Sequence, residues 1–350
     1  MIYSYSQLFN PKPYDYGSWL PEILPDRCLV INGGDFGNWE NDRNTISTNI
    51  KQAVAEYNIQ SIKIDLSMNP LLLSDIRIVQ ALDDFKQIAP TEVLHTDYSI
   101  ENKATPNYKF FPAIFWIYST RYEGWAGKGA YDAGTDKTRP LMSLNRQPRF
   151  HRVLLFNEFC KRRLFSLCDF SFVFQVQGVN WEFDFPYLNL DDRMYFTDNR
   201  NLLPMLIPGE QLDFVATVGD ISVDRPVYHD CAVNLVTETS FDMPWFSEKV
   251  CKPFVANQIP IIVGPLGINT YLKSTGLDMF EDVIPWQTWD HIFDLSIKIK
   301  LIAQFVEYWL LNSNILEYYR NSIDRIHQNK KYFHSQSFRD RIMAHSLNNK

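Results

Sequence analysis

The sequence predicts an α/β protein made of two doubly wound, Rossmann-like domains that face a central cleft. Short β-branched runs alternate with helical segments, which favours parallel sheets. The chain has 350 residues, which is more than one ordinary core contains. A stretch rich in Gly, Asp and Lys over 121–140 separates two βα-rich halves. We therefore expect an N-terminal domain at 1–138, a C-terminal domain at 139–295, and a final helix and tail at 296–350.

In the first half, strands and helices alternate along the chain. The pattern predicts strands at 27–32, 61–66, 92–95 and 110–118, with helices at 44–57 and 72–88. The pair Gly33-Gly34 follows the first strand, where glycines allow either a sharp turn or a close approach of the backbone to a ligand. The spacing is not that of a dinucleotide-binding loop, so NAD is not indicated.

The second half is centred on Val233 to Gly267, which indicates a strand, a loop, a helix and a second strand. Ser247 is a good N-cap for that helix, and the second strand is predicted over 259–263, where it stops before Gly264. Apolar residues from Leu301 onwards recur at helical spacing, which predicts one long helix to about Gln328 followed by a polar tail. The other predicted strands are 141–144, 170–176 and 232–236, and the other predicted helices begin near 153 and 201.

The composition is that of a folded protein with a formal net charge of -7. This acidity counts against a protein that mainly contacts phosphate backbones, although a local basic patch remains compatible with it. The five cysteines are scattered without metal-ligand spacing, which favours reduced thiols. The sequence shows neither a signal peptide nor an apolar span of membrane length, so we expect a cytoplasmic protein without membrane contact.

Positive charges stand where predicted helices begin. Arg146, Arg149 and Arg152 follow a strand at intervals of three, and Lys249 falls in the first turn of another helix. Cations are unfavourable at a helix N-terminus unless an anion binds there, so these positions predict a phosphate ligand. The alternative is a solvated basic face, which we favour for Arg152. The nearby His151 is isolated and is interpreted as structural.

Carboxylates occupy comparable positions. Glu238 follows a buried strand and Glu248 opens the next helix, where either could bind sugar or ribose hydroxyls. A turn residue and a helix-dipole partner are the respective alternatives. In the first half, Asp35 and Asp97 both end strands, so either could act as a general base. A turn role is the alternative for each and the favoured one for Asp97.

Several of these residues form a pattern that resembles the donor-binding domain of the α-1,3-fucosyltransferase superfamily. The matching segments are Thr237-Glu238, Ser247-Glu248-Lys249 and the run QIPIIVGP over 258–265. The run LNRQPRFHR over 144–152 is similar to a segment of related glycosyltransferases that are often phage-encoded. The resemblance covers roughly 141–290. It departs from the family in having Ser247 in place of Thr and a longer loop before it.

The resemblance implies a GT-B fold, a UDP or GDP sugar as donor, inversion at the anomeric carbon and no metal or other cofactor. By that likeness Lys249 and Arg146 hold the diphosphate, while Glu238 and Glu248 contact the donor sugar and the ribose. The expected donor-binding residues are therefore Arg146, Arg149, Glu238, Ser247, Glu248 and Lys249.

The same resemblance leads to an acceptor and a base in the first half. The favoured acceptor is a 5-hydroxymethylated cytosine in phage DNA, flipped out and stacked on Phe36 and Trp39, with Asp35 before Asp97 as the base. A cell-surface glycan is the alternative acceptor. A non-catalytic nucleotide- or sugar-binding module is the alternative from another class of protein.

Overall fold

We analysed the protein in a computed structural model. The chain divides into two compact units, the first containing described residues up to 110 together with 339–347, and the second containing those from 119 to 338. The structure describes residues 2–4, 27–32, 39–65, 76–95, 108–110, 119, 134–145, 149–172, 188–207, 223, 226–239, 241 and 246–347.

The first unit contains a five-stranded parallel sheet. Its strands lie in sequence order, β1 to β5, and each pairs with the next in parallel. The α/β class with parallel sheets is therefore confirmed for this half. The strands are β1 (Ile2–Ser4), β2 (Cys28–Asn32), β3 (Ser61–Asp65), β4 (Thr91–His95) and β5 (Tyr108–Phe110).

Two helices, α1 (Trp39–Tyr57) and α2 (Ile76–Lys86), pack against one face of this sheet. Alternate strand residues such as Leu29 and Ile62 form one core with apolar residues of both helices. Right-handed crossovers between strands in sequence order place every helix on the same face. The expected doubly wound order is therefore not found among the described strands of this unit, because their order never reverses.

The second unit contains a four-stranded parallel sheet in the order β7-β6-β8-β9. Its strands are β6 (Arg139–Asn145), β7 (Asp169–Phe172), β8 (Cys231–Thr237) and β9 (Ile259–Val263). Every residue of β8 and β9 is buried, as expected for strands covered on both faces. The chain crosses from β7 back past β6 to reach β8, so the strand order reverses as in a doubly wound sheet.

Helix α3 (Phe150–Lys161) connects β6 to β7 and contributes aromatic core. Phe156 is fully buried and its ring centroid lies 5.4 to 5.8 Å from those of Phe165, Phe172 and Phe196. Shorter helices join and follow the remaining strands: α4 (Leu190–Asn199), α5 (Pro226–Asp230), α6 (Lys252–Val255), α7 (Ile268–Ser274) and α8 (Gln287–Asp290).

The C-terminal region differs from the predicted single long helix. The structure has α9 (Leu295–Asn312), α10 (Ile315–Asn321), α11 (Ile323–Phe333) and α12 (Gln336–Leu347). The first break occurs because Ser313 is extended and the side chain of Asn314 accepts a hydrogen bond from the Glu317 backbone N–H. An N-cap of this kind starts a new helix in a different direction. Most of the residues after Gln328, predicted as a polar tail, are helical.

The boundaries of the second unit differ from the predicted ones at 138 and 295. Residues 134–138 already belong to this unit, where the buried Lys137 ammonium donates to the carbonyls of Tyr228 at 2.8 Å and Ala256 at 3.1 Å. At the other end, the unit continues through α9 to α11. The phenol of Tyr319 in α10, for example, donates to the Asn257 carbonyl at 2.8 Å. These helices are therefore part of the unit's packing.

Candidate functional site

The candidate site lies at the carboxyl edge of the second sheet, between β6 and β8. The chain leaves β6 in one direction to reach β7 and later enters β8 on the opposite side of β6. This reversal of the strand order makes the edge between β6 and β8 the switch point of the sheet. Ligands of open α/β sheets bind at this switch point. The sequence-predicted residues that the structure describes in this unit follow β6 and β8 directly.

A chain of buried hydrogen bonds joins the two strands beneath the switch point. The Thr237 hydroxyl donates to Asn145 Oδ1 at 2.7 Å, and Asn145 Nδ2 donates to Ser143 Oγ at 3.1 Å. Ser143 Oγ in turn donates to the Leu235 carbonyl at 3.0 Å. Each buried polar group in this chain is therefore paired, which fixes β6 against β8 where the loops begin.

Arg152 is part of this network, and its interpretation as a solvated basic residue is wrong. Its side chain is buried, and its guanidinium donates to Thr237 Oγ1 at 3.2 Å and to the carbonyls of Thr237 and Glu238 at 3.4 Å. Burial lowers the pKa of Arg152 to about 10, with the neighbouring Arg149 acting in the same direction. Arg152 therefore still carries a buried positive charge at neutral pH.

His151 is structural, in agreement with the sequence interpretation. Its Nε2 lies 2.9 Å from the Glu238 carbonyl oxygen, so Nε2 carries the proton and donates it. Burial, reinforced by the charge of Arg152, lowers the pKa of His151 well below its usual value and keeps the ring neutral. The ring also contacts Phe241, with centroids 4.5 Å apart. His151 therefore ties α3 to the start of the loop after β8.

Glu238 organises that loop through its carboxylate, which is fully buried. The carboxylate accepts hydrogen bonds from the Thr239 N–H at 2.9 Å, from the Ser247 N–H at 3.1 Å and from Ser247 Oγ at 2.6 Å. Burial raises the pKa of Glu238. The charge of Lys249 and these hydrogen bonds lower it, but by less, so the pKa stays above its usual value. Contact with a donor sugar stays a prediction, because these described bonds occupy the carboxylate within the protein.

Gly264, at the end of β9, leaves room for the Glu238 side chain. A Cβ atom on Gly264 would lie 3.2 Å from Glu238 Cγ and 2.7 Å from Ile268 Cδ1. The second distance is shorter than real Cβ contacts allow. The glycine that ends the predicted strand therefore has a steric function beside the site.

Glu248 and Lys249 form an ion pair at the start of the 3₁₀ turn Glu248–Val250. Lys249 Nζ lies 2.6 Å from Glu248 Oε1 and 3.2 Å from Thr239 Oγ1. The Lys249 side chain is 31% exposed and the Glu248 side chain is 29% exposed, so both remain accessible to a ligand. Burial acts to raise the pKa of Glu248, but the charge and hydrogen bond of Lys249 bring it below the usual value. Ser247 is the N-cap, as predicted, and accepts from the Lys249 N–H.

Arg149 lies at the N-cap of α3, where its own side chain makes no capping hydrogen bond. The residue is exposed, yet partial desolvation of its guanidinium lowers the pKa of Arg149. The positive end of the helix dipole is at this terminus, so the cation is electrostatically unfavourable there without an anion. Arg149 and Lys249 are thus two accessible cations on the segments that flank the switch point.

Sequence reasoning missed Lys298 and Asp290, which support the adjacent loop after β9. The buried Lys298 ammonium donates to the Gly264 carbonyl at 2.8 Å and lies 5.6 Å from the Phe241 ring centroid. Asp290 accepts from the backbone N–H groups of Asn269 and Thr270 at 3.0 and 2.9 Å. The available signal was a lysine inside the apolar run of α9, next to Ile299.

Four predicted site residues, Asp35, Phe36, Asp97 and Arg146, lie outside the described residues, as does the side chain of Trp39, which begins α1. Across the part of the chain that the structure describes, no three His, Cys, Asp or Glu residues are grouped so as to hold a metal ion. Among the described helices, none has the length and apolar character needed to span a membrane.

Comparison of the sequence with protein-family models found no match, and comparison with curated proteins found none either. The resemblance to fucosyltransferases therefore stays a prediction that depends on the residues of the motif alone.

We predict that Ser247→Ala destabilises the second unit, because it removes the hydroxyl that donates to the Glu238 carboxylate. A hydrogen bond to a charged group contributes about 1.5–3 kcal/mol, so we expect a loss of that size in the free energy of unfolding, measured by chemical denaturation. Ser247→Thr keeps the hydroxyl and is the matched control, expected to lose less than about half as much. Equal losses in the two variants would show that the hydroxyl is unimportant.

We also predict a pH-dependent difference between the wild type and Lys298→Met. Burial lowers the pKa of Lys298 from 10.5 to about 8, so above pH 8 the folded state releases a proton that the unfolded state retains. Wild-type stability should therefore rise relative to the variant between pH 8 and 10.5, by up to about 3 kcal/mol. Denaturation at several pH values measures this difference, with exposed Lys331→Met as control. A pH-independent difference would contradict the assigned pKa shift.

Proposed function

We propose that the protein is an inverting glycosyltransferase whose second unit binds a UDP or GDP sugar at the switch point between β6 and β8. The protein then transfers the sugar to a hydroxyl group of an acceptor. The proposal combines the motif resemblance with the positions of the charged groups described above.

One observation carries the proposal: two accessible cations stand at the switch point. Arg149 occupies the N-cap of α3, and Lys249 lies in the turn that follows the loop after β8. Arg149 stands at the positive end of the α3 dipole, which favours an anion, whereas Lys249 lies in a short 3₁₀ turn and contributes its ammonium charge. A diphosphate is the anionic ligand that we propose for this pair of cations.

The same cations would assist the chemistry. In an inverting transfer, the acceptor oxygen bonds to the anomeric carbon as the bond from that carbon to the diphosphate oxygen breaks. Negative charge grows on the departing diphosphate, and fixed cations stabilise that charge. Lys249 is well placed for this role because its pairing with Glu248 leaves 31% of its side chain exposed. The buried charge of Arg152 adds positive electrostatic potential at the site without direct contact with the diphosphate.

Accessible Glu248 supports the binding of a hydroxyl-bearing ligand. Its carboxylate is ionised at neutral pH, since its pKa lies below the usual value, and it can accept hydrogen bonds from ribose or sugar hydroxyls. Glu238 has a different role in this proposal, because its carboxylate holds the loop that carries Lys249. Glu238 therefore positions the donor-binding groups.

The proposed acceptor is the hydroxymethyl group of a modified cytosine in DNA, and its proton passes to a carboxylate of the first unit. Asp35 is the preferred base, with Asp97 as the second choice. Phe36 and Trp39 are proposed to stack on the acceptor base.

We predict that Lys249→Ala weakens binding of UDP or GDP by about 10–100-fold and leaves binding of uridine or guanosine nearly unchanged. The physical reason is loss of a charge-assisted hydrogen bond to the diphosphate. Isothermal titration calorimetry measures both affinities, and Lys331→Ala, which removes an exposed lysine on α11, is the matched control. Equal losses for nucleoside and diphosphate would contradict the phosphate role and indicate a structural one.

We predict that Asp35→Asn lowers sugar transfer to hydroxymethylcytosine-containing duplex DNA by about 10²–10⁴-fold while donor affinity changes only a few-fold. The side-chain amide of the Asn variant cannot act as a base and take the proton from the acceptor hydroxyl. Transfer is measured with a panel of UDP and GDP sugars as donors. Glycans are tested as alternative acceptors, and Asp97→Asn is the comparison variant. Normal turnover in Asp35→Asn with loss in Asp97→Asn would move the base to Asp97. If the protein transferred sugar to glycans but not to DNA, the proposal of a DNA acceptor would be rejected.

A further inference from the structure

Helix α9 presents an exposed, largely apolar stripe. Relative exposure is 51% for Ile297, 64% for Tyr308 and 62% for Leu311. Leu301 is half-buried and Gln304 is exposed between them. The opposite face of the helix is already buried in the second unit through Lys298, Ile299, Ile302, Ala303, Val306 and Trp309. The helix is thus apolar on two faces, whereas the outer face of a surface helix is normally polar.

The stripe has the spacing of a helix–helix seam. Residues 297, 301, 304, 308 and 311 are separated by steps of four, three, four and three, which is the heptad pattern of packed helices. At about 1.5 Å per residue, the stripe is about 21 Å long. Phe293, which is 89% exposed just before α9, extends it. A second helix of similar length would cover this surface.

We propose that this second helix is α9 of another copy of the chain, packed antiparallel about a two-fold axis through Gln304. Ile297 and Leu311 lie seven residues before and after that position, and Leu301 and Tyr308 lie three before and four after it. In such a pair, Ile297 faces Leu311 of the second copy, and Leu301 faces Tyr308 of the second copy. Gln304 meets its own symmetry mate, where two side-chain amides can bond reciprocally.

The charges beside the stripe are complementary in this antiparallel arrangement. Lys300 and Glu307 flank Gln304 on the same edge, about 40° and about 60° from it around the helix. A two-fold axis perpendicular to the helices brings like edges together with the chain direction reversed. Lys300 therefore meets Glu307 of the second copy, twice per dimer. In a parallel pair, opposite edges of the two helices meet, so Lys300 of one copy and Glu307 of the other would lie apart.

Glu307 can make this additional contact. Its Oε2 accepts a hydrogen bond from Arg162 on α3 of the same chain, and its side chain is 32% exposed. The bond to Arg162 engages Oε2 and holds the carboxylate at the edge of the stripe. A single pair of helices forms a small interface, so we expect a dissociation constant on the order of micromolar. A polar residue at the centre of such a seam selects register and partner at some cost in affinity.

The test is the mass of the full chain in solution as a function of concentration, by sedimentation velocity. We expect a shift from 41.1 kDa towards twice that mass as concentration rises. Ile297→Lys and Leu311→Lys should each weaken association by about 10–100-fold. The matched control is Leu190→Lys, which changes a 70% exposed leucine elsewhere and should associate as the wild type does. A chain that stays monomeric at every concentration, or a dimer that all three variants retain, would overturn the proposal.

The contribution of the Lys300 charge and the relative direction of the two helices are tested with separate variants. Lys300→Glu should weaken association by about tenfold, while Lys331→Glu on α11 should not. Under mild oxidation, Ile297→Cys mixed with Leu311→Cys should form disulfides between the two variants, above the background of the wild-type cysteines. Neither variant should cross-link with itself. Self-cross-linking at both positions would establish a parallel pair and overturn the antiparallel arrangement. Unchanged thermal unfolding of every variant excludes misfolding as the cause.

Discussion

The second unit depends on one buried charge, the carboxylate of Glu238. Its hydrogen bonds from Thr239 and Ser247 close both ends of the loop after β8, and that loop determines where Lys249 stands. The bare backbone of Gly264 makes the necessary space. The buried guanidinium of Arg152 contributes a nearby opposite charge, and it bonds to the Glu238 carbonyl. Paired and hydrogen-bonded charges of this kind are costly to separate, so these bonds hold the two ends of the loop, Thr239 and Ser247, in place.

The cations at the carboxyl edge fall into two groups with different consequences. Arg152 and Lys298 are buried and donate to carbonyl groups of the protein, so they build the site and shape its potential. Arg149 and Lys249 are accessible and stand where helical segments begin, so they suit an anionic ligand. Preorganised positive charge in a crevice stabilises a leaving diphosphate without a change in the protein, which is the physical basis of the proposed transfer.

The two sheets differ in the order of their strands. Strands β1 to β5 follow sequence order, so no pair of segments diverges at their carboxyl edge among the described residues. The order of strands β6 to β9 reverses at β6, which puts a switch point between β6 and β8. This reversal explains why the described donor-binding candidates gather in the second unit. On the same unit, α9 leaves an apolar stripe that suits a second chain.

The sequence by itself determined the local elements. β9 at 259–263 agrees with its predicted bounds, and Ser247 caps its turn, because strand periodicity and capping depend on neighbouring residues. Tertiary structure decided what depends on distant packing. It buried Arg152 beneath Thr237 and turned Glu238 towards Ser247. It also revealed Lys298, whose carbonyl partner Gly264 is 34 residues away. No local pattern encodes such contacts, because they form only when separate strands and helices meet.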